Sequence, residues 1–384
     1  MLEQILIPVA DPSPLPAPYW VFKLLLNLTF FLHILAMNVL LGGGLLALLA
    51  KWKSNTSAYS ERLFYEISRM LPSILPTTIT LGVAPLLFVQ VLYGQFFYTS
   101  SIIVGWSWFL VLGLLTVAYY GFYYASFRKR AQSDRAAWAV SISLLLITAI
   151  GFIYSNNMTL SLTPGRWGSK YFSSPAGWSL NIDEGTLVPR FLHFFVAAIA
   201  VGGLLIAVKG LLRLKAEKDY ARYLIRFGAK AFMYATMTQF LVGIWFLGAL
   251  PGAQRMLFMG NNYLATALFA LAVVGAIGTI VLISGALHCE NPVPGLYSGT
   301  ALTVLVVALM VISRDTLRDA YLQPYLLASP TRIQWEVFPL FLLVFLAGLF
   351  VWLIMMKRYP FLQQKPLQEQ VIAGEGIKKS SRVM

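Results

Sequence analysis

Acidic residues, histidine and cysteine are all scarce in this chain. Its 384 residues include 15 Asp and Glu against 29 Lys and Arg, with three His and one Cys. The single Cys289 can close no internal disulfide. Without a CxxC or CxxCH run the chain offers neither an iron–sulfur ligand set nor a covalent c-type haem attachment. A redox cofactor would have to be held by other side chains. No P-loop, HExxH run or nucleophile–base pair is present, so hydrolytic chemistry is not expected. Charged residues make up only 11% of the chain and hydrophobic ones 58%, well outside the composition of soluble domains. The formal charge of +14 therefore points to loops and anionic headgroups at a membrane rather than to nucleic acid.

What is present is a series of long apolar runs. A membrane span needs roughly 18 to 25 such residues. Runs of that kind lie near 20–49, 70–97, 102–125, 137–158, 187–211, 229–250, 263–287, 295–313 and 335–356, which predicts an all-α integral membrane protein with about nine transmembrane helices. The segments "KWKSN", "RKRAQSDR", "KGLLRLKAEKDYARYLIR" and "KRYPFLQQK" follow the first, third, fifth and ninth runs. Their Lys/Arg excess puts those ends in the cytoplasm, the amino terminus outside and the carboxyl terminus inside. Glu3 and Asp11 stand among prolines where a cleaved leader would carry a basic segment, so the first run is expected to stay in the membrane. The expected organisation is an outer segment 1–18, a single transmembrane domain 19–358 and a polar cytoplasmic tail 359–384.

Ionisable groups at membrane depth are costly and mark function. On these boundaries every Asp and Glu falls in a loop, a tail or a span end, which weakens a proton-pump reading. His33 lies about 20 Å along the first helix, His193 near the outer end of the fifth, and His288 at an inner boundary. A neutral imidazole can ligate a metal with one nitrogen while the other donates to a neighbour, as haem b requires. It can equally bond a backbone carbonyl or face water. "LHILAMNVLLGGGLL" and "LHFFVAAIAVGGLL" follow each histidine with small residues, which suit a macrocycle or ordinary helix packing. Arg314, Asp315, Arg318 and Asp319 could meet a propionate, a quinone headgroup or a partner protein, or pair among themselves. Trp167, Trp178 and Tyr171 form either an interfacial belt or the rim of a quinone entrance.

The run Arg190-Phe191-Leu192-His193 resembles the fifth transmembrane helix of cytochrome bd quinol oxidase subunit I, where an Arg/Lys-Phe-x-His sequence carries a ligand of low-spin haem b. "GVAPLLFVQVLYGQFF", with Gly82, Tyr93 and Gly94, is similar to that family's second-span motif. "NNMTLSLTPGRWG" looks like its Asn-containing segment past the fourth span. His33, the span count and the outward amino terminus agree. The resemblance covers roughly residues 20–250 and implies bd-like helix bundles in a bacterial cytoplasmic (inner) membrane.

It also implies haem b on His193. Met310, near the outer end of the eighth run, offers a soft thioether as the opposing ligand or else fills the core, and His33 is the rival partner. Arg190, on nearly the same face as His193, either pairs a propionate or snorkels at the interface. Gln90 stands where the family has a haem-coordinating glutamate, and an amide can neither replace that ligand nor carry its proton. The family's long quinol loop is reduced to Pro251–Asn262, and its Arg-x-Met and late acidic motifs have no counterpart. These departures argue against a complete oxygen-reducing site. The expectation is a membrane subunit of a respiratory electron-transfer complex, linking quinone or quinol through haem b to a c-type cytochrome or another outer redox subunit. The alternative is a haem-free anchor or transporter-like subunit. Contact with quinone or a partner is assigned to Arg314, Asp315, Arg318 and Trp167.

Overall fold

A computed structural model describes residues 7–8, 13–53, 57–129, 132–174, 176–326 and 331–358. The tail expected at 359–384 lies outside the described residues. The helices are α1 (Tyr19–Trp52), α2 (Ala58–Ser68), α3 (Leu71–Ile103), α4 (Gly105–Ser126), α5 (Ser133–Ser161), α6 (Trp167–Ser173), α7 (Leu187–Arg213), α8 (Lys218–Ala249), α9 (Gly252–Met256), α10 (Tyr263–His288), α11 (Val293–Leu322) and α12 (Val337–Arg358). Among the described residues there is no strand, and nine helices are long and apolar enough to cross a membrane. The protein is therefore an all-α, multi-pass membrane protein. Backbone polar groups find no water in lipid, and a helix satisfies them within one segment.

Up to Ile333 the helices form one assembly, and α12 is a separate unit. Within the assembly α1 packs on α3 and α7, while α4 pairs with α5, α7 with α8, and α10 with α11. The crossing of α1 and α7 answers the small residues that follow each histidine. A Cβ on Gly42 would stand 1.7 Å from the Ala198 carbonyl oxygen, and one on Gly202 would stand 2.3 Å from the Gly42 carbonyl carbon. The two backbones touch there, and no larger side chain fits between them.

Two boundaries differ from the sequence expectation for physical reasons. α8 begins at Lys218 rather than near 229, because Tyr220, Leu224 and Ile225 bury one face of an amphipathic first stretch. α11 continues past 313 to Leu322, since Asp315 and Asp319 find Lys23 on α1 and Arg318 pairs with Asp315 along the same helix. Asp315 thus sits on a helix and is buried, rather than lying beyond a span end. The short α2 was not expected either. Ser57 caps it by accepting from the Tyr59 amide at 3.2 Å, and Leu63, Phe64 and Ile67 are buried.

That short helix carries Glu66 into a buried cluster. Glu66 is 2% exposed and accepts from Arg62 at 3.0 Å and Arg213 at 2.7 Å, with Lys209 at 3.0 Å. Arg62 also pairs with Glu217. Burial would raise the Glu66 carboxyl, but Lys209, Arg213 and Arg62 outweigh it and hold the group below the usual carboxylate range. The cluster ties α2, α7 and the start of α8 together at the Lys/Arg-rich end of the bundle.

Candidate functional site

Toward the opposite end α1, α3, α5, α7 and α11 surround a cavity. Its volume is about 200 Å³. The walls are mainly apolar, with Phe30, Pro85, Leu86, Tyr154, Phe191 and Phe195 among them. His33 and three arginines, Arg190, Arg314 and Arg318, are the basic side chains in that wall. Such a combination of apolar walls and a few convergent polar groups is the usual form of a ligand site.

The imidazole is held by α3. His33 Nδ1 lies 3.0 Å from the Thr78 carbonyl oxygen, and the ring rests against Gly82. A carbonyl can only accept, so Nδ1 carries the hydrogen and the neutral ring keeps its lone pair on Nε2. The cavity therefore has in its wall a histidine whose other nitrogen is already committed to orienting the ring.

The arginines gather from two helices. The Arg314 guanidinium lies over the Phe30 ring at 4.2 Å and that of Arg190 over Phe246 at 5.1 Å. Buried Arg190 Nε has no hydrogen-bond partner among the described residues. Arg318 donates to Asp315 at 3.1 Å. Lys23 of α1 lies between two carboxylates, 2.5 Å from Asp315 and 2.8 Å from Asp319. Tyr93 donates to Asp319 at 2.6 Å and accepts from Lys23 at 2.9 Å. It stands where α3 departs from helical geometry, at φ −137° and ψ 31°. The nearby Glu184 pairs with Arg166 at 3.4 Å. Glu184 also lies near Arg190, but with Asp183 it is matched by Arg166 and Lys170, so Lys23, Arg190, Arg314 and Arg318 outnumber Asp315 and Asp319 by two beside the cavity. A surplus of that size in an apolar setting favours an anionic occupant.

The remaining sequence candidates lie elsewhere. His193 does not line the cavity; it faces α8, 6.2 Å from Phe246, with Nδ1 buried and without a hydrogen-bond partner among the described residues. Gln239 donates to the His193 backbone oxygen at 2.9 Å. Met310 is half-buried one turn before Arg314 and is not part of the cavity wall. Gln90 accepts from Tyr98 Oη at 3.0 Å, away from the cavity. Trp167 is buried and donates to the Leu160 carbonyl at 2.9 Å, with its ring 6.1 Å from Phe96, so its contacts are those of packing. His288 bonds the Ser284 carbonyl at 2.8 Å on its own helix.

Lys23, Thr78 and Phe30 were not anticipated. Lys23 carried a usable signal, a cation a few residues into the first apolar run, whereas a backbone carbonyl and one phenylalanine among 26 carry none. Among the described residues no group of three or more His, Cys, Asp or Glu could hold a metal ion. No protein-family model and no curated protein matches this chain.

Proposed function

We propose that the protein is a bd-like membrane subunit of a respiratory electron-transfer complex, exchanging electrons between quinone or quinol and an extracytoplasmic partner such as a c-type cytochrome through haem b. The observation that carries this reading is the pairing of His33, oriented by Thr78, with a surplus of two positive charges in one apolar cavity. Haem b has those requirements: an imidazole for iron, apolar walls, and cations for two propionates. In this reading His33 Nε2 holds the iron, and Arg190, Arg314 and Arg318 hold the propionates. The bound group would supply one-electron exchange. The protein's own share is to keep the imidazole in the tautomer that Thr78 enforces, to neutralise the carboxylates and to keep water from the walls.

His193 remains the ligand that the cytochrome bd resemblance favours, and its unpartnered Nδ1 supports keeping it as a second candidate. Met310 is its proposed opposing ligand. The basic end of the bundle faces the cytoplasm of a bacterial inner membrane in this reading, which puts the arginines near the outer surface, within reach of a docked redox partner. Gln90 and the short Pro251–Asn262 connection argue that the chain does not reduce dioxygen by itself.

Pyridine haemochrome analysis of the purified full-length chain tests the proposal, followed by His33→Ala and His193→Ala. Haem present in the wild type and lost in His33→Ala, with the variant still inserted, is the expected result. A haem-free wild type would defeat the reading in favour of an anchor or transporter-like subunit. Loss confined to His193→Ala would move the site to α7 and α8.

A further inference from the structure

At the basic end of the bundle α8 carries Arg222, Arg226 and Lys230 at four-residue spacing, so they lie in a row along one exposed helix face over about 12 Å. None of the three has a carboxylate or hydrogen-bond partner among the described residues. Their neighbours Arg62 and Arg213, by contrast, are paired with Glu66 and Glu217. The acid on the same face, Asp219, lies one turn farther toward the start of the helix.

The depth of the row follows from the length of α8, which runs from Lys218 to Ala249. At Gly228 its backbone lies directly on α7, where a Cβ would stand 2.4 Å from the Gly203 carbonyl oxygen. From Gly228 to the helix end at Ala249 the rise is about 32 Å, which matches the hydrocarbon layer. Lys230 therefore lies just inside the boundary, where a long side chain snorkels outward. Arg226 lies at the boundary, and Arg222 about one turn above it, within a headgroup layer roughly 5–8 Å deep. Continuing along the same side into the bilayer, Tyr234, Met237, Leu241 and Ile244 are all exposed. The face presents unpaired cations at phosphate depth and an apolar ridge at acyl-chain depth.

We infer that this face of α8 is a binding site for an anionic phospholipid, with Arg222, Arg226 and Lys230 on the phosphate and the ridge from Tyr234 to Ile244 along the acyl chains. An acidic protein would be served by the cations but not by an apolar ridge continuing below them, which is why lipid is the better match. The inference does not depend on haem.

The test is native mass spectrometry of the purified full-length protein, titrated with phosphatidylglycerol and with phosphatidylcholine. A cation near the membrane surface is worth about five-fold in affinity for an anionic lipid. The triple variant Arg222→Gln, Arg226→Gln, Lys230→Gln should lose most of the preference for phosphatidylglycerol, and Arg226→Gln alone about five-fold. The control Arg128→Gln, Lys129→Gln, Arg135→Gln removes as many cations from the same end and should keep the preference. An equal loss in the control would reduce the effect to general surface charge and overturn the site, as would a triple variant that keeps the preference. The single substitutions decide the matter should the triple variant not accumulate.

Discussion

A Cβ on Gly82 would stand 2.8 Å from Cε1 of His33 and 2.9 Å from its Nδ1, so the imidazole of α1 lies directly against the backbone of α3. The same ring is bonded to Thr78 one turn earlier on that helix. One face of α3 thus fixes both the position and the tautomer of the histidine.

Gly82→Ala should therefore displace the ring from its bond to Thr78. If haem is bound through His33, the variant should show a shifted Soret band and lower haem content while retaining helical circular dichroism. An unchanged absorption spectrum at full haem content would disprove the link between Gly82 and the ligand.

The α1–α7 crossing makes a prediction independent of any cofactor. Gly42→Ala puts a methyl where the Ala198 carbonyl oxygen already sits, and overpacking of that kind costs about 1–3 kcal/mol or more. Gly113→Ala is the control, since nothing lies within 4 Å of a Cβ there. Thermal unfolding in detergent should show a clear drop for the first and almost none for the second, and equal melting temperatures would contradict the observed crossing.

Glu66→Gln leaves Lys209 and Arg213 buried with a neutral partner. Removing one member of a buried charge cluster costs about 3–5 kcal/mol. The pH dependence follows from the same contacts. The folded carboxyl titrates below its unfolded value, so its contribution is complete above about pH 4.3 and is lost as pH falls through the folded value. Wild type should lose stability below about pH 4 more steeply than Glu66→Gln, measured as detergent-solubilised unfolding across pH 3 to 7. Parallel curves would argue against this role.

Orientation is testable in intact cells. With Cys289→Ser as background, Lys129→Cys should stay unlabelled by a membrane-impermeant maleimide and become labelled once the membrane is opened. Labelling of intact cells would reverse the proposed topology.

Much of the helical plan was legible because hydropathy acts on contiguous residues. A run such as 263–287 announces α10 without reference to the rest of the chain. The candidate site was legible only in part. His33, Arg190, Arg314 and Arg318 stand out as ionisable residues in apolar surroundings, and they do line one cavity. His193 stood out equally, by the Arg-Phe-x-His run, yet it lies outside that cavity. Both side chains meet Phe246 of α8, but the turn of about 60° between positions three apart leaves Arg190 in the cavity wall and His193 outside it.

That this is a helical membrane protein can be read from the chain alone, because the apolar content and length of each run decide whether it can remain in lipid. The sequence also picked out His33, Arg190, Arg314 and Arg318 as ionisable residues in apolar surroundings, but not Lys23 or the burial of Asp315. Their partners came from the packing of the helices. Lys23 meets Asp315 and Asp319 nearly 300 positions away, Thr78 lends His33 a carbonyl from another helix, and Glu66 turns inward to Lys209. Those pairings depend on how close two helices approach and how each is rotated about its axis. Both are set by contacts such as Gly42 on Ala198, which join residues that no local pattern relates.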